Sequence, residues 1–413
     1  MAVGPVIRDR LIICIANSWD YDPTSKHQLV RILSRYNDVV WVDYHGTRRP
    51  AASRADLWAV WQALRRVTRG VRRVAPSVVR LTPMVIPGAR RGPMQRWHQQ
   101  MLAAQIRRAL GQVPGASSRP IQVWTFAPDV PHLAGRFGEE CFVYYCVDEY
   151  TEFEGFDRRY IAESERVTLE RADVIVTSSQ SLWEKKRASR PDAVLVRHGV
   201  DYAHFASAWR EPLTPPDELA SIDGPVFGYF GLIHHWVDVE LLAEVARLRP
   251  TYSFVLLGEC KVNVSGLRGL PNVHLLGRRP YDALPGYCAG FSAGLMLFRR
   301  SEMTRHVNPI KMLEYLAAGL PVVSTPLAEA ERFAGPIVFA ETPAGFAEAC
   351  DRVLTTPHAD RARISAMVAG QTWHSRAEEL SGIIESHLRR GARSSTAARS
   401  AAGLAALAAP SVG

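Results

Sequence analysis

Lys311 and Glu314 stand three residues apart in the stretch His306-Val-Asn308-Pro309-Ile-Lys311-Met-Leu-Glu314-Tyr-Leu-Ala-Ala-Gly319-Leu-Pro321-Val-Val. That spacing puts an ammonium and a carboxylate on one face of a helix. Asn308 suits the cap position, Pro309 suits the first turn, and Gly319 with Pro321 ends the helix before an apolar strand. Free backbone N–H groups at a helix start attract anions, so Asn308 and Lys311 outline a cradle for a diphosphate. A carboxylate one turn further in can accept hydrogen bonds from two sugar hydroxyls. An amphipathic helix with a solvated Lys–Glu pair fits the same spacing.

Two further segments carry polar groups at strand ends. Val226–Gly231 reads as a strand closing in glycines, and Gly228 and Gly231 let a diphosphate approach the backbone. After the apolar run Leu11–Ala16 comes Asn17-Ser-Trp19-Asp20-Tyr-Asp22-Pro-Thr-Ser25-Lys-His27-Gln28, a polar loop that opens a helix. Trp19 can stack on a sugar ring, and Asp20 and His27 can bind hydroxyls. Helix capping by Asp22 or Ser25 accounts for the same residues.

The Asn308–Gly319 run resembles the donor-site helix of nucleotide-sugar glycosyltransferases of family 4, which have two facing Rossmann-like domains, the GT-B fold. Within that group the chain is most similar to bacterial cell-surface polysaccharide transferases of the teichuronic-acid type, where an NP-x-K-x-x-E-Y-L-A-A-G run recurs. The resemblance spans residues 12 to 385, and it is more specific in the second half. It implies an α/β protein with two Rossmann-like domains across a cleft and a C-terminal helix crossing back to the first domain. It implies retaining transfer of a sugar from a nucleotide-diphosphate sugar to a polysaccharide or lipid-linked acceptor, with no metal and no cofactor beyond that co-substrate. Glu314 matches the position that holds the donor ribose.

Two departures from the family pattern stand out. The turn Leu232-Ile233-His234-His235-Trp236 lacks the Arg and Lys that usually meet the diphosphate, so Arg305, Lys311 and Arg278 have to supply the charge. The first of two glutamates spaced eight apart falls on His306, which leaves Glu302, one turn earlier, to contact the transferred sugar. The strand end at Cys146-Val-Asp148-Glu149 resembles the C-V-D segment of the subgroup. Adjacent acids cannot face one point, and Asp148 is the one expected in the cleft. Glu302 and Asp148 are thus the candidate catalytic carboxylates, and Gly231, His234, Arg305, His306, Asn308, Lys311 and Glu314 the candidate donor contacts. Two other readings stay open: a nucleotide-sugar epimerase on the same fold, or a non-catalytic assembly subunit.

These residues need a scaffold of two cores, since 413 residues exceed what one core holds. Strand-like runs at 11–16, 39–43, 121–126, 142–147 and 174–177 alternate with helical spacing at 26–36 and 160–171, the pattern of a parallel sheet covered on both faces. A Pro- and acid-rich stretch, 206–224, reads as the junction. The alternation then restarts, with strands at 226–230, 253–258, 273–277, 293–298, 321–324 and 337–339. The expected division is 1–205, acceptor side; 206–372, nucleotide-sugar side; 373–390, crossover helix; and 391–413, a structureless Ala/Ser-rich tail. The six scattered cysteines show no metal spacing and read as reduced buried thiols.

The net charge of +9 is concentrated: residues 48–119 hold 15 Arg, no Lys and one acid, Asp56. Leu57, Val60, Trp61, Leu64, Val67, Val71 and Val74 recur at helical spacing, with Arg65, Arg66, Arg69, Arg72 and Arg73 largely opposite. A basic amphipathic helix with Trp58 and Trp61 suits an anionic membrane surface, where each basic residue is worth about 1 kcal/mol. A helix packed on the first sheet fits the same stripe. No nucleic-acid module is visible. No apolar run reaches the length of a spanning helix. The expected location is therefore cytoplasmic, peripheral on the inner face of the membrane.

Overall fold

Leu11–Ala16 is buried at every position because the strand it forms, β1, lies inside a sheet covered on both faces. A computed structural model describes residues 5–44, 70–84, 92–355 and 360–407, backbone alone from 392. The first sheet contains β1, β2 (Asp38–Asp43), β3 (Val71–Ala75), β4 (Val78–Leu81), β5 (Ile121–Thr125), β6 (Cys141–Cys146), β7 (Val174–Thr177) and β8 (Val194–Leu195). Their order is β3-β4-β2-β1-β5-β6-β7-β8, and every pairing is parallel except β3 with β4.

Period-2 alternation sorts the side chains into two cores. Ile12, Cys14, Val39 and Trp41 meet α1 (Ser25–Leu33) through Leu29 and Leu33. Leu11, Ile13, Ile15, Val40 and Val42 meet α2 (Gly92–Leu110) through Leu102 and Ile106, together with Leu169 of α3 (Arg158–Arg171) and Leu182 of α4 (Gln180–Arg187). Each such side chain contributes roughly 1.5–3 kcal/mol when fully buried.

The second sheet contains β9 (Val226–Phe230), β10 (Ser253–Leu257), β11 (Val273–Leu275), β12 (Ala293–Met296), β13 (Val322–Ser324) and β14 (Ile337–Phe339), all parallel, in the order β11-β10-β9-β12-β13-β14. Helices α5 (Tyr202–Arg210), α7 (Leu284–Gly290), α8 (Ile310–Ala317) and α10 (Arg361–Ala366) cover one face, and α6 (Val239–Leu248) and α9 (Pro343–Leu354) the other. Phe205 and Ala208 of α5 belong to this second core, so the division moves from 205 back to the crossing at Gly199-Val200.

A second crossing lies against the first. Val200 N–H donates to the Gln371 carbonyl (2.8 Å), and Trp373 N–H donates to the Val200 carbonyl (3.3 Å). From there α11 (Trp373–Leu407) returns to the first domain, where Trp373, Ala377, Leu380 and Ile384 join the core against α1. Its backbone stays helical to Leu407, past residue 391, where a structureless tail was expected; an Ala-rich run favours helix.

The arginine block departs from expectation. Residues 45–69 lie outside the described residues, with Trp58, Trp61, Arg65, Arg66 and Arg69 among them. Val71–Ala75, expected on the same helix, is instead edge strand β3, so Arg72 and Arg73 are exposed strand residues. Gly70 takes a left-handed φ of 60°, and Pro76-Ser77 turns the chain back into β4. Those two breaks and the flanking valines favour a hairpin over a continuous helix.

Candidate active site

Segments at the carboxyl ends of the two sheets meet, Asp22 bonding Arg278 and the Ser178 carbonyl bonding Asn308, at the place where open parallel sheets bind ligands. On the second domain, β9 leads into Gly231, whose φ of 120° a side chain rarely adopts. A Cβ built there would lie 3.0 Å from Lys311 Nζ. That ammonium also sits 4.0 Å from the Tyr229 ring centroid and 5.6 Å from that of Phe298. It makes no ion pair with a described residue. Burial pushes its pKa down to about 7, against the pull of Glu314. A cation held over aromatic faces beside bare backbone has an unmet demand for negative charge.

Glu314, one turn along α8, is 8% exposed. Burial raises its carboxyl to about 8, Lys311 opposes that shift, and Asp201 adds to it. The described side chains give it no hydrogen bond, whereas the neighbouring Tyr281 hydroxyl accepts from Gln28 of α1, in the other domain, at 3.2 Å. Next to this pair, a cavity of about 780 Å³ opens at the ends of β10 and β11, lined by Gly258, Cys260, Arg268, Leu275 and Arg278. Gly258 packs so closely on the Gly231 carbonyl that a Cβ would approach it to 1.9 Å. Cavity, glycine backbone, ammonium and carboxylate thus follow one another along the carboxyl edge of the sheet.

The tip of α8 has a different task from the one expected. Asn308 does not cap: its Nδ2 donates to the Ser178 carbonyl of the first domain (2.8 Å), and its own carbonyl accepts from His198 Nδ1 (2.9 Å). His306 is likewise tied across the gap, with Nδ1 3.0 Å from Ser181 Oγ and its carbonyl accepting from Ser179 Oγ at 2.8 Å. Both residues are therefore interdomain contacts, since a polar group buried at such a seam needs a partner. Glu329 completes the seam by accepting from the Gln180 N–H at the start of α4 and pairing with Arg197 at 2.7 Å.

The other donor-side candidates are placed as follows. Glu302 is exposed on the short helix Glu302–Arg305, 3.3 Å from His306 Nε2 and 3.5 Å from the Arg305 guanidinium. Arg305 is exposed and faces Glu302. His234 stacks on Trp236 (4.4 Å between ring centroids) and meets His235. Arg278 is committed to Asp22 of the first domain through bonds of 2.6 and 3.1 Å, which leaves Lys311 as the ammonium beside Gly231.

On the acceptor side, Asp148 and Glu149 separate as a strand end requires. Glu149 is buried against Lys185 (3.0 Å) and Lys186 (3.5 Å) and is held down to about 2, with burial opposing its lysine partners. Asp148 stays half-buried with its carboxyl raised to about 6 by burial, partly offset by Lys26. The loop candidates fare less well. His27 is consumed by structure: Nδ1 accepts from the Thr24 N–H (3.3 Å), and Nε2 donates to the Ser18 carbonyl (3.1 Å). Asp20 pairs with Arg80 at 2.8 Å, and Trp19 packs edge-on against Trp41, 5.0 Å between centroids.

Three groups escaped the sequence reading. Lys26 is coupled to Asp148 and has its pKa lowered by burial. His198 is pushed down to about 4 by burial, and its Nε2 has no described partner. Arg80 is buried and joins Asp43 (2.6 Å), Asp20 and Ser18 (3.2 Å). Only the polar ring of His198 just before the Gly199 crossing offered a signal in the sequence.

Residues 224–356, which include Gly231, Lys311 and Glu314, match the family model of glycosyl transferases group 1. That match falls within the second domain and makes it similar to this family. A Bacillus subtilis protein named as the teichuronic acid biosynthesis glycosyltransferase TuaH is 29% identical over 252 residues, 56% of this chain. The match spans 63% of that relative's length. Among solved structures, Anabaena HepE in complex with UDP and glucose has a TM-score of 0.63 at 12% identity, covering 91% of this chain and 99% of its own. A UDP-forming trehalose-phosphate synthase of Burkholderia xenovorans has a TM-score of 0.62 at 10% identity, covering 93% and 99%. The fold is GT-B.

Proposed function

We propose that the protein transfers a sugar, with retention, from a nucleoside-diphosphate sugar to a hydroxyl of a cell-surface glycan or a lipid-linked acceptor. The observation that carries this reading is the Lys311 ammonium beside the Gly231 backbone, with the Glu314 carboxyl one turn away, neither of them paired with a described side chain. The diphosphate lies on Gly231 and Lys311, the ribose hydroxyls donate to Glu314, and the base enters the cavity at Gly258 and Cys260. The group 1 match and a fold neighbour solved with UDP support the same reading.

Departure of the nucleotide concentrates negative charge on the diphosphate. An ammonium already desolvated and fixed at that point interacts more strongly with the transition state than with the ground state. Its depressed pKa raises the stakes, because the arriving charge both needs and restores the proton. The acceptor enters between the domains past Asp148 and Lys26. The leaving phosphate takes the acceptor proton, so the reaction needs neither a strong protein base nor a metal.

Thermal-shift titration with UDP, GDP and ADP tests the site. At least one should raise the melting temperature of the wild type and fail to do so for Glu314→Gln. No shift with any nucleotide, or an equal shift in the variant, contradicts the reading.

A further inference from the structure

The first domain carries an apolar surface that the transfer chemistry does not use. Met84, Met94 and Trp97 are 38%, 55% and 52% exposed, although the rest of α2 is anchored through Leu102, Ile106 and Ala109. Met94, Trp97 and Met101 recur at three- and four-residue spacing, and the exposed Arg108 falls seven residues after Met101, so all four share one face. Met84 N–H donates to Gln105 Oε1 (2.9 Å), which sets the level of the chain leaving β4 on the helix. Trp97 precedes Gln105 by two turns and so stands about 12 Å further out. The start of α2 overhangs the carboxyl end of the sheet, the end that bears the Asn17–Asp22 loop and Asp148.

The exposed charge that α2 and the β3–β4 hairpin carry is all basic. Arg72, Arg96 and Arg108 are exposed, and none pairs with a described carboxylate. They belong to the stretch with 15 Arg and a single acid, while the rest of the chain carries net negative charge. Exposed Trp and Met beside guanidinium groups fit the boundary of an anionic bilayer, where rings and thioethers enter the acyl edge and cations meet headgroups.

We infer that the overhanging start of α2, with Met84, Met94 and Trp97, seats the protein on an anionic lipid surface. The seat faces the mouth of the interdomain cleft toward the bilayer, the side from which a lipid-linked acceptor arrives. That consequence rests on the proposed transfer; the docking itself does not.

Co-sedimentation of the full chain with phosphatidylcholine vesicles, with and without phosphatidylglycerol, tests the seat. The wild type should pellet with the anionic vesicles only. The Met94→Ser/Trp97→Ser double variant, altered at exposed positions, should lose at least tenfold of that affinity at an unchanged melting temperature. Equal pelleting with both vesicle types, no pelleting at all (a protein partner then being the occupant), or full binding by the variant overturns the inference. Donor turnover with a soluble acceptor is read in parallel. Its absence alongside intact vesicle binding would count against the proposed transfer and leave the seat standing.

Discussion

Lys311 Nζ lies 4.0 Å from the Tyr229 ring centroid and would lie 3.0 Å from a Cβ on Gly231. The cation and the glycine thus share one space, and a side chain on either strand end or helix face competes for it. Gly231→Ala combines a φ of 120° with this close approach. A left-handed backbone costs an alanine roughly 1–2 kcal/mol of folding stability. The added Cβ also displaces the Lys311 ammonium, so nucleotide affinity should fall about tenfold by calorimetric titration.

Glu314 separates binding from stability. Its carboxyl is raised because burial disfavours the charge, so the folded protein holds a proton there that the unfolded chain releases above its ordinary value of 4.5. That difference stabilises the fold below about pH 4.5 and is lost progressively as pH rises toward 8. Glu314→Gln should therefore match or exceed the wild-type melting temperature at pH 9. At that pH the carboxyl is ionised, and the variant should still lose about 10- to 100-fold in nucleotide affinity, the worth of a hydrogen bond to a charged group.

Lys311 predicts a proton signature. Free, the ammonium titrates at about 7. A bound diphosphate raises that value, so the complex takes up a proton near pH 8 and affinity weakens as pH rises above 7. Calorimetry at pH 8 in buffers of different ionisation enthalpy should show uptake by the wild type, reduced by the Lys311→Met change.

The seam between the domains is polar and local. Glu329 holds Gln180 and Arg197 of the first domain while buried to 3% exposure. Glu329→Ala leaves the half-buried Arg197 guanidinium and the α4 start without that partner, a change worth roughly 1–3 kcal/mol. Small-angle scattering should report a larger radius of gyration for the variant in the absence of ligand, with secondary structure by circular dichroism unchanged.

What the sequence revealed follows from how local each determinant is. Helix α8 was legible because Pro309 and Gly319 punctuate it and because Lys311 and Glu314 share a face within one turn. The two sheets were legible from short apolar runs at regular spacing, since a buried parallel strand such as Leu11–Ile15 is apolar throughout. The partners of Asn308 and His306 were not legible, because Ser178 and Ser181 lie more than a hundred residues away and meet them only across the domain seam. His27 looked like a ligand and proved to be a helix-start device, a distinction decided by the Ser18 carbonyl. Val71 and Val74 fit a helical stripe by spacing alone, yet the Pro76-Ser77 turn and pairing with Val78–Leu81 make a strand. Arg80, lost among surface arginines in the sequence, is buried only because Asp43 waits on the next strand.

The most direct test of the account is turnover of a panel of nucleoside-diphosphate sugars by the wild type and by Lys311→Met, at pH 7 with EDTA present. The account predicts that the wild type consumes at least one donor in chelator and that the variant is slower by about a hundredfold or more, the scale of one lost charge-stabilising group. Equal rates for the two proteins, or consumption of no donor by the wild type, would contradict it.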